Sequence, residues 1–133
     1  MILIDASALA SYILREKGSE RVRECLVQGV VSPELAVKET ANAIAMARRA
    51  GRIDDQQAHG CLRALKALSR TNIKFVNQED VMEESFDLAL KSDLTVYDAL
   101  YISLAKKLKV PLLTCDERQA KAAGGEGIEV TVL

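Results

Sequence analysis

Five short runs rich in β-branched residues punctuate this chain: Ile2–Ile4, Val30–Val31, Ile73–Val76, Val110–Thr114 and Ile128–Leu133. Long helical patterns separate them. Strands joined by connections of that length pair in parallel, because hairpins need only a few residues and crossovers need a dozen or more. The pattern therefore predicts an α/β fold around a central, mainly parallel, five-stranded sheet. At 133 residues the chain is long enough for about one domain, residues 1–133, with a single real core.

Caps and breakers set the helix ends. The first helix is expected from near Ala6 to Arg15, with Gly18 ending it. Ser19 as N-cap opens a second, Ser19–Val27, with Gly29 behind it. Ser32-Pro33 opens a long helix, Ser as N-cap and Pro at the first helical position, that ends at Gly51. Asp54-Asp55-Gln56-Gln57 has capping-box spacing and starts a helix to about Arg70. Asn77 or Gln78 begins one to Lys91, and Thr95 caps one reaching about Lys109. Asp116 caps the last, which stops at Gly124-Gly125.

Composition narrows the function classes. Aromatic residues are 4% with no Trp, which argues against a nucleic-acid module built on stacking platforms. Lys plus Arg number 18 and Asp plus Glu 19, so bulk charge gives no grip on polyanions. The near balance hides two blocks. Arg48, Arg49, Arg52, Arg63, Lys66, Arg70 and Lys74 face only Asp54 and Asp55, a net +5. Residues 77–99 carry seven acids against Lys91, a net −6. Two solvated helix faces would account for them, as would a basic flank for a phosphate backbone beside an acidic site. Cys25, Cys61 and Cys115 are far apart and lack metal-ligand spacing, which reads as a reduced interior. No apolar run approaches the ~20 residues of a membrane helix. Met1 leads straight into a β-like run with no signal-peptide pattern, so a soluble, cytoplasmic chain without membrane association is expected.

Four acids stand in apolar surroundings. Asp5 follows Ile2-Leu3-Ile4 and Asp116 follows Val110–Cys115, each at the carboxyl end of a strand, where ligands bind in open parallel sheets. Each also has the position of a helix cap. Leu35, Glu39, Asn42 and Met46 fall at i, i+4, i+7 and i+11, which places Glu39 on an apolar stripe. A carboxylate there must be paired, hydrogen-bonded or bound to a metal. Asp98 opens Asp98–Ala105, a stretch apolar nearly all round, and Thr95-x-x-Asp98 matches a capping box. Asp93 reads as an exposed loop acid. Converging carboxylates repel unless a cation neutralises them, and an oxygen-only set suits Mg2+ or Mn2+. Ser7, Asn42 and Thr114 lie beside Asp5, Glu39 and Asp116 and are candidate supporting groups. His59, on a polar helix, reads as a surface residue.

Four segments, Met1–Ala8, Pro33–Glu39, Thr95–Tyr101 with Leu104-Ala105, and Leu112–Asp116, closely resemble PIN-domain nucleases, and among them the VapC-like toxins of toxin–antitoxin pairs. The resemblance spans essentially the whole chain. It implies a three-layer α/β/α fold, an RNA substrate and a Mg2+ (or Mn2+) cofactor. It also implies a homodimer or higher homo-oligomer, and a possible small antitoxin protein as partner. Carried over, the catalytic and metal-binding acids are Asp5, Glu39, Asp98 and Asp116, with Ser7, Asn42 and Thr114 supporting them. A further acid that some relatives carry would fall in Glu117–Lys121, where Glu117 is the one candidate. The expected chemistry is metal-assisted phosphodiester hydrolysis, with Glu39 completing the shell or accepting the water's proton. Arg48, Arg49 and Arg52, at the end of the Glu39 helix, are candidate RNA contacts for flanking nucleotides. Other readings are a PIN nuclease with an RNA-processing or exonuclease role, and a non-catalytic oligomeric binding module whose acids are caps. A phosphoacceptor receiver or an aspartyl phosphatase would need a second acid after the first strand, where Ser7 stands.

Overall fold

The computed structural model describes residues 1–133. Five strands form one sheet: β1 (Ile2–Ile4), β2 (Val30–Ser32), β3 (Ile73–Phe75), β4 (Leu112–Thr114) and β5 (Val130–Val132). Their order is β3-β2-β1-β4-β5, and every neighbouring pair is parallel. Register places Leu3 opposite Val31 on one side and Leu112 on the other. The chain builds outward from β1 to β3, then returns to the opposite side of β1 to build β4 and β5. Strand order therefore reverses between β1 and β4, and parallel sheets leave a crevice at such a reversal.

Seven α-helices cover the sheet: α1 (Ala6–Ile13), α2 (Ser19–Gln28), α3 (Leu35–Arg49), α4 (Asp55–Thr71), α5 (Met82–Ser92), α6 (Val96–Leu108) and α7 (Glu117–Gly125). Successive strand residues point to opposite faces, so each strand feeds two cores. Leu3, Val31 and Leu112 pack with Leu88 of α5, Leu100, Ile102 and Leu104 of α6, and Ala123 of α7. Ile4, Val30 and Leu113 pack with Leu9 and Ile13 of α1, Val22 and Leu26 of α2, and Leu65 of α4. Burying each such side chain contributes roughly 1.5–3 kcal/mol, which compensates for strands of only three residues. Residues Ala99–Ala105 of α6 are all buried, as their apolar composition demands.

Several expected boundaries shift, each for a physical reason. The first helix stops at Ile13, and Arg15 turns into the left-handed region at φ 57°. Ser19 lies inside α2, whose N-cap is Gly18 at φ 88°. A side chain at Gly18 would be strained, and its Cβ would come within 2.9 Å of Leu133. Ser32 caps nothing: it is the last residue of β2, and its hydroxyl donates to the Ile4 carbonyl at 2.8 Å. Nor is Pro33 the first helical residue, since α3 begins at Leu35 behind Glu34. A 3-10 turn, Glu79–Val81, precedes α5. The Asp54–Gln57 capping box, the Thr95 cap and the Asp116 cap all form as expected. No helix is long and apolar enough to cross a membrane.

Candidate active site

Asp5 leaves β1 at the crevice and caps α1. Its Oδ1 accepts from the Ala8 amide at 2.9 Å and from Ser7 Oγ at 2.7 Å. Its Oδ2 accepts from the Thr114 hydroxyl, which arrives from the neighbouring strand β4. Ser7 Oγ accepts the Cys115 amide at 2.9 Å, and Thr114 Oγ1 accepts the Asp116 amide at 3.0 Å. Ser7 and Thr114 thus stitch the ends of β1 and β4 together around one carboxylate. That carboxylate is 2% exposed and has no cation beside it. Burial, opposed by these hydrogen bonds and reinforced by nearby Asp116, pushes its carboxyl up to about 6.

Asp116 caps α7, its Oδ1 accepting from the amides of Arg118 and Gln119 at 2.9 and 3.2 Å. Asp98 sits in the first turn of α6, where Thr95 Oγ1 accepts its amide at 3.1 Å. Half-buried, Asp98 is raised by burial first and then by the charge of Asp116. Glu39 is also half-buried and raised, again by burial first, with Asp98 adding to the effect. Tyr101 donates to Glu39 Oε1 at 2.6 Å. Asp116 raises both Asp5 and Asp98 by its charge and Asp98 raises Glu39, so the four acids, from the ends of β1 and β4 and from α3 and α6, stand within one another's electrostatic reach at the carboxyl edge of the sheet. None of them takes part in an ion pair with Lys or Arg.

Not every expected residue joins them. Asn42 is exposed, and its Nδ2 contacts only Met46 Sδ at 3.7 Å. The stripe that α3 buries is Ala36, Thr40, Ile44 and Ala47, so Met46 is 57% exposed and Glu39 sits on the shoulder. Glu117 is exposed in the first turn of α7. Arg48 pairs with Asp55, and Arg52 approaches Glu16 at 3.9 Å, both at the far end of α3. His59 is exposed and donates Nδ1–H to the Asp55 carbonyl at 2.8 Å. Two residues escaped the sequence reading. Tyr101 lay hidden in an apolar helix, and Gln119, 2% exposed, donates to the Asp98 carbonyl at 3.3 Å. A phenol among aliphatic neighbours was the only signal for the first, and the second gave none.

In these side-chain positions no three carboxylate, imidazole or thiol groups meet tightly enough to enclose an ion. The donor chemistry nonetheless fits a hard cation. Four carboxylates outside any ion pair stand near one another, and no imidazole is among them. The adjoining Cys115 thiol is pushed up by burial and by Asp5, so it stays protonated rather than becoming a thiolate ligand.

Carboxylates gathered at the reversal point of an all-parallel sheet define a class: α/β proteins that work on ligands at the carboxyl edge. Within that class the chain belongs to the PIN-domain family, whose profile matches residues 2–125. Ribonuclease VapC3 of Pyrobaculum aerophilum is 33% identical over 122 residues, covering 90% of this chain and 92% of that protein. The crystal structure of PAE2754 from Pyrobaculum aerophilum is similar at TM-score 0.74 and 23% identity, over 97% of this chain and 87% of that one. FitAB bound to an IR36 DNA fragment is similar at TM-score 0.68 and 19% identity, over 99% and 94%. At those identities the two solved structures speak for the fold alone.

Proposed function

We propose that this chain is a Mg2+- or Mn2+-dependent ribonuclease and the toxin of a toxin–antitoxin pair. One observation carries the reading: four carboxylates from distant parts of the chain stand within one another's electrostatic reach, and none is held in an ion pair. Helix capping accounts for Asp5 and Asp116 but not for Glu39, which caps nothing and costs stability on a half-buried shoulder. The similarity to Ribonuclease VapC3 supports RNA as the substrate.

Asp5, Asp98 and Asp116 would hold the metal, which would supply Lewis-acid polarisation of the phosphoryl group and of the attacking water. Ser7 and Thr114 fix the Asp5 carboxylate, so that it need not reorganise when substrate arrives. Glu39, anchored through Oε1 by Tyr101, presents Oε2 to the water and accepts its proton. A new P–O bond forms to that water as the bond to the leaving ribose oxygen breaks, and that oxygen leaves with a proton taken from solvent. A cytoplasmic site of action fits this substrate and three free cysteines.

A homodimer and a small antitoxin are part of the same reading. Their support is an uncovered apolar stripe on α5, Met82, Phe86 and Leu90 at i, i+4 and i+8, of which Leu90 is 71% exposed. The deciding experiment is cleavage of labelled RNA by purified protein. Mg2+ or Mn2+ should support cutting, and EDTA should abolish it. Cleavage undiminished by exhaustive chelation would overturn the metal mechanism.

A further inference from the structure

The acids need a nearby positive group to hold a polyanion, and the basic residues at the end of α3 are partly engaged elsewhere. Arg118 is different. It projects from the first turn of α7, two residues after Asp116, and takes part in no ion pair. One of its N–H groups donates to the carbonyl oxygen of Asp93 at 2.8 Å. That acceptor is uncharged, so it orients the guanidinium without neutralising it. Asp93 offers this carbonyl from a left-handed turn, φ 53°, at the end of α5. Arg118 also lies close enough to Asp98 to draw its carboxyl down against the effect of burial. It borders the crevice.

Beside it opens a cavity of about 450 Å³ between the end of α5 and α7. Its charged lining is Lys91, Asp93, Arg118, Lys121 and Glu126. Glu126 is already bound by Lys91 at 3.2 Å and Lys106 at 3.3 Å. Arg118 and Lys121, at i and i+3 on one face of α7, are left with unspent positive charge opposite the single carboxylate of Asp93. Guanidinium with several free N–H groups suits a phosphate better than any neutral ligand.

We propose that Arg118, with Lys121 one turn behind it, binds the RNA phosphodiester adjacent to the one lying over the acids. The proposal rests on the ribonuclease reading and adds the path of the strand: past α7 and into the α5–α7 cavity.

The test uses the full chain carrying Asp5→Asn, which binds without cutting, and a fluorescein-labelled single-stranded RNA followed by anisotropy across a KCl series in EDTA. Adding Arg118→Gln and Lys121→Gln should weaken binding on the order of tenfold. It should also make the slope of log K against log salt shallower by about 0.7, the value for one phosphate neutralised on a single strand. In the cutting-competent chain the same pair should raise KM by a larger factor than it lowers kcat. The charge-preserving pair Arg118→Lys and Lys121→Arg should retain most binding. Equal loss in that pair would overturn the proposal in favour of a structural role for the Asp93 contact. Unchanged affinity and slope in the Gln pair, with Asp5→Asn still binding RNA, would overturn the inference and leave the ribonuclease reading standing. RNA neither bound by Asp5→Asn nor cut by the unsubstituted chain would overturn both.

Discussion

Asp5 holds its charge at a loss. Its carboxyl, raised from the ordinary 3.8 to about 6, binds a proton more tightly in the folded state than in the unfolded chain. The penalty is absent below pH 3.8, grows as pH climbs to about 6, and is complete above that. A displacement of that size corresponds to about 3 kcal/mol. Asp5→Asn keeps the bonds from Ser7 and Ala8 and turns its new amide N–H toward Thr114 Oγ1. In EDTA at pH 7.5 it should therefore melt several degrees above the unsubstituted chain while losing activity, and the gap should close toward pH 4. Calorimetry at the two pH values checks both statements. Tyr101 is the complementary case. Burial and the neighbouring Glu39 charge keep its phenol protonated and donating. A hydrogen bond to a charged group is worth roughly 1.5–3 kcal/mol, so Tyr101→Phe should lower kcat on the order of tenfold or more. KM for RNA should stay put, because the bond positions a carboxylate and not the strand. Steady-state kinetics that show an unchanged kcat would mark the bond as idle.

Caps were legible where a side chain had no competing partner. Asp54 and Gln57 form the full capping box on α4, since both are exposed and free to reach each other's backbone. Ser32 has the composition of a cap but sits in the sheet, where its hydroxyl serves the Ile4 carbonyl. Ser-Pro cannot reveal which of those two bonds wins. Helix α3 was misread by one face for a similar reason. Ala36, Thr40 and Ala47 are small, so their burial leaves little trace in the sequence, whereas Met46 looks like core and is 57% exposed, and Leu35 packs only against the core's edge. Two caps make contrasting predictions. Asp54→Ala should cost about 1 kcal/mol in urea unfolding and leave activity intact, since α4 starts away from the crevice. Thr95→Ala should cost a similar amount and also lower activity, because Thr95 Oγ1 holds the amide of Asp98 itself. Equal activity in both variants would show that the cap does not position the acid.

At the scale of the whole molecule, strand spacing declared the parallel sheet, and the strand-end positions of Asp5 and Asp116 suggested a shared edge. The closeness of β1 and β4 was not written in any local pattern, because it follows from the chain's return across the sheet. The acidic block over residues 77–99 does not make the site: of its seven residues only Asp98 stands among the site acids, and Asp80 instead pairs with Lys107 at 3.2 Å. What the four site acids share is repulsion that no ion pair relieves, and that has a consequence for the folded chain as a whole. A divalent cation that binds the folded crevice and not the unfolded chain must raise the melting temperature as its concentration rises. At 100 times its Kd the gain is about 2.7 kcal/mol. A Mg2+ titration of the unsubstituted chain should show this rise, well beyond the effect of KCl at matched ionic strength, which only screens. Asp98→Asn with Asp116→Asn should start from a higher melting temperature in EDTA and respond to Mg2+ no more than to KCl. A parallel rise in both proteins would place the cation elsewhere on the surface and reduce the four acids to caps and a strained glutamate.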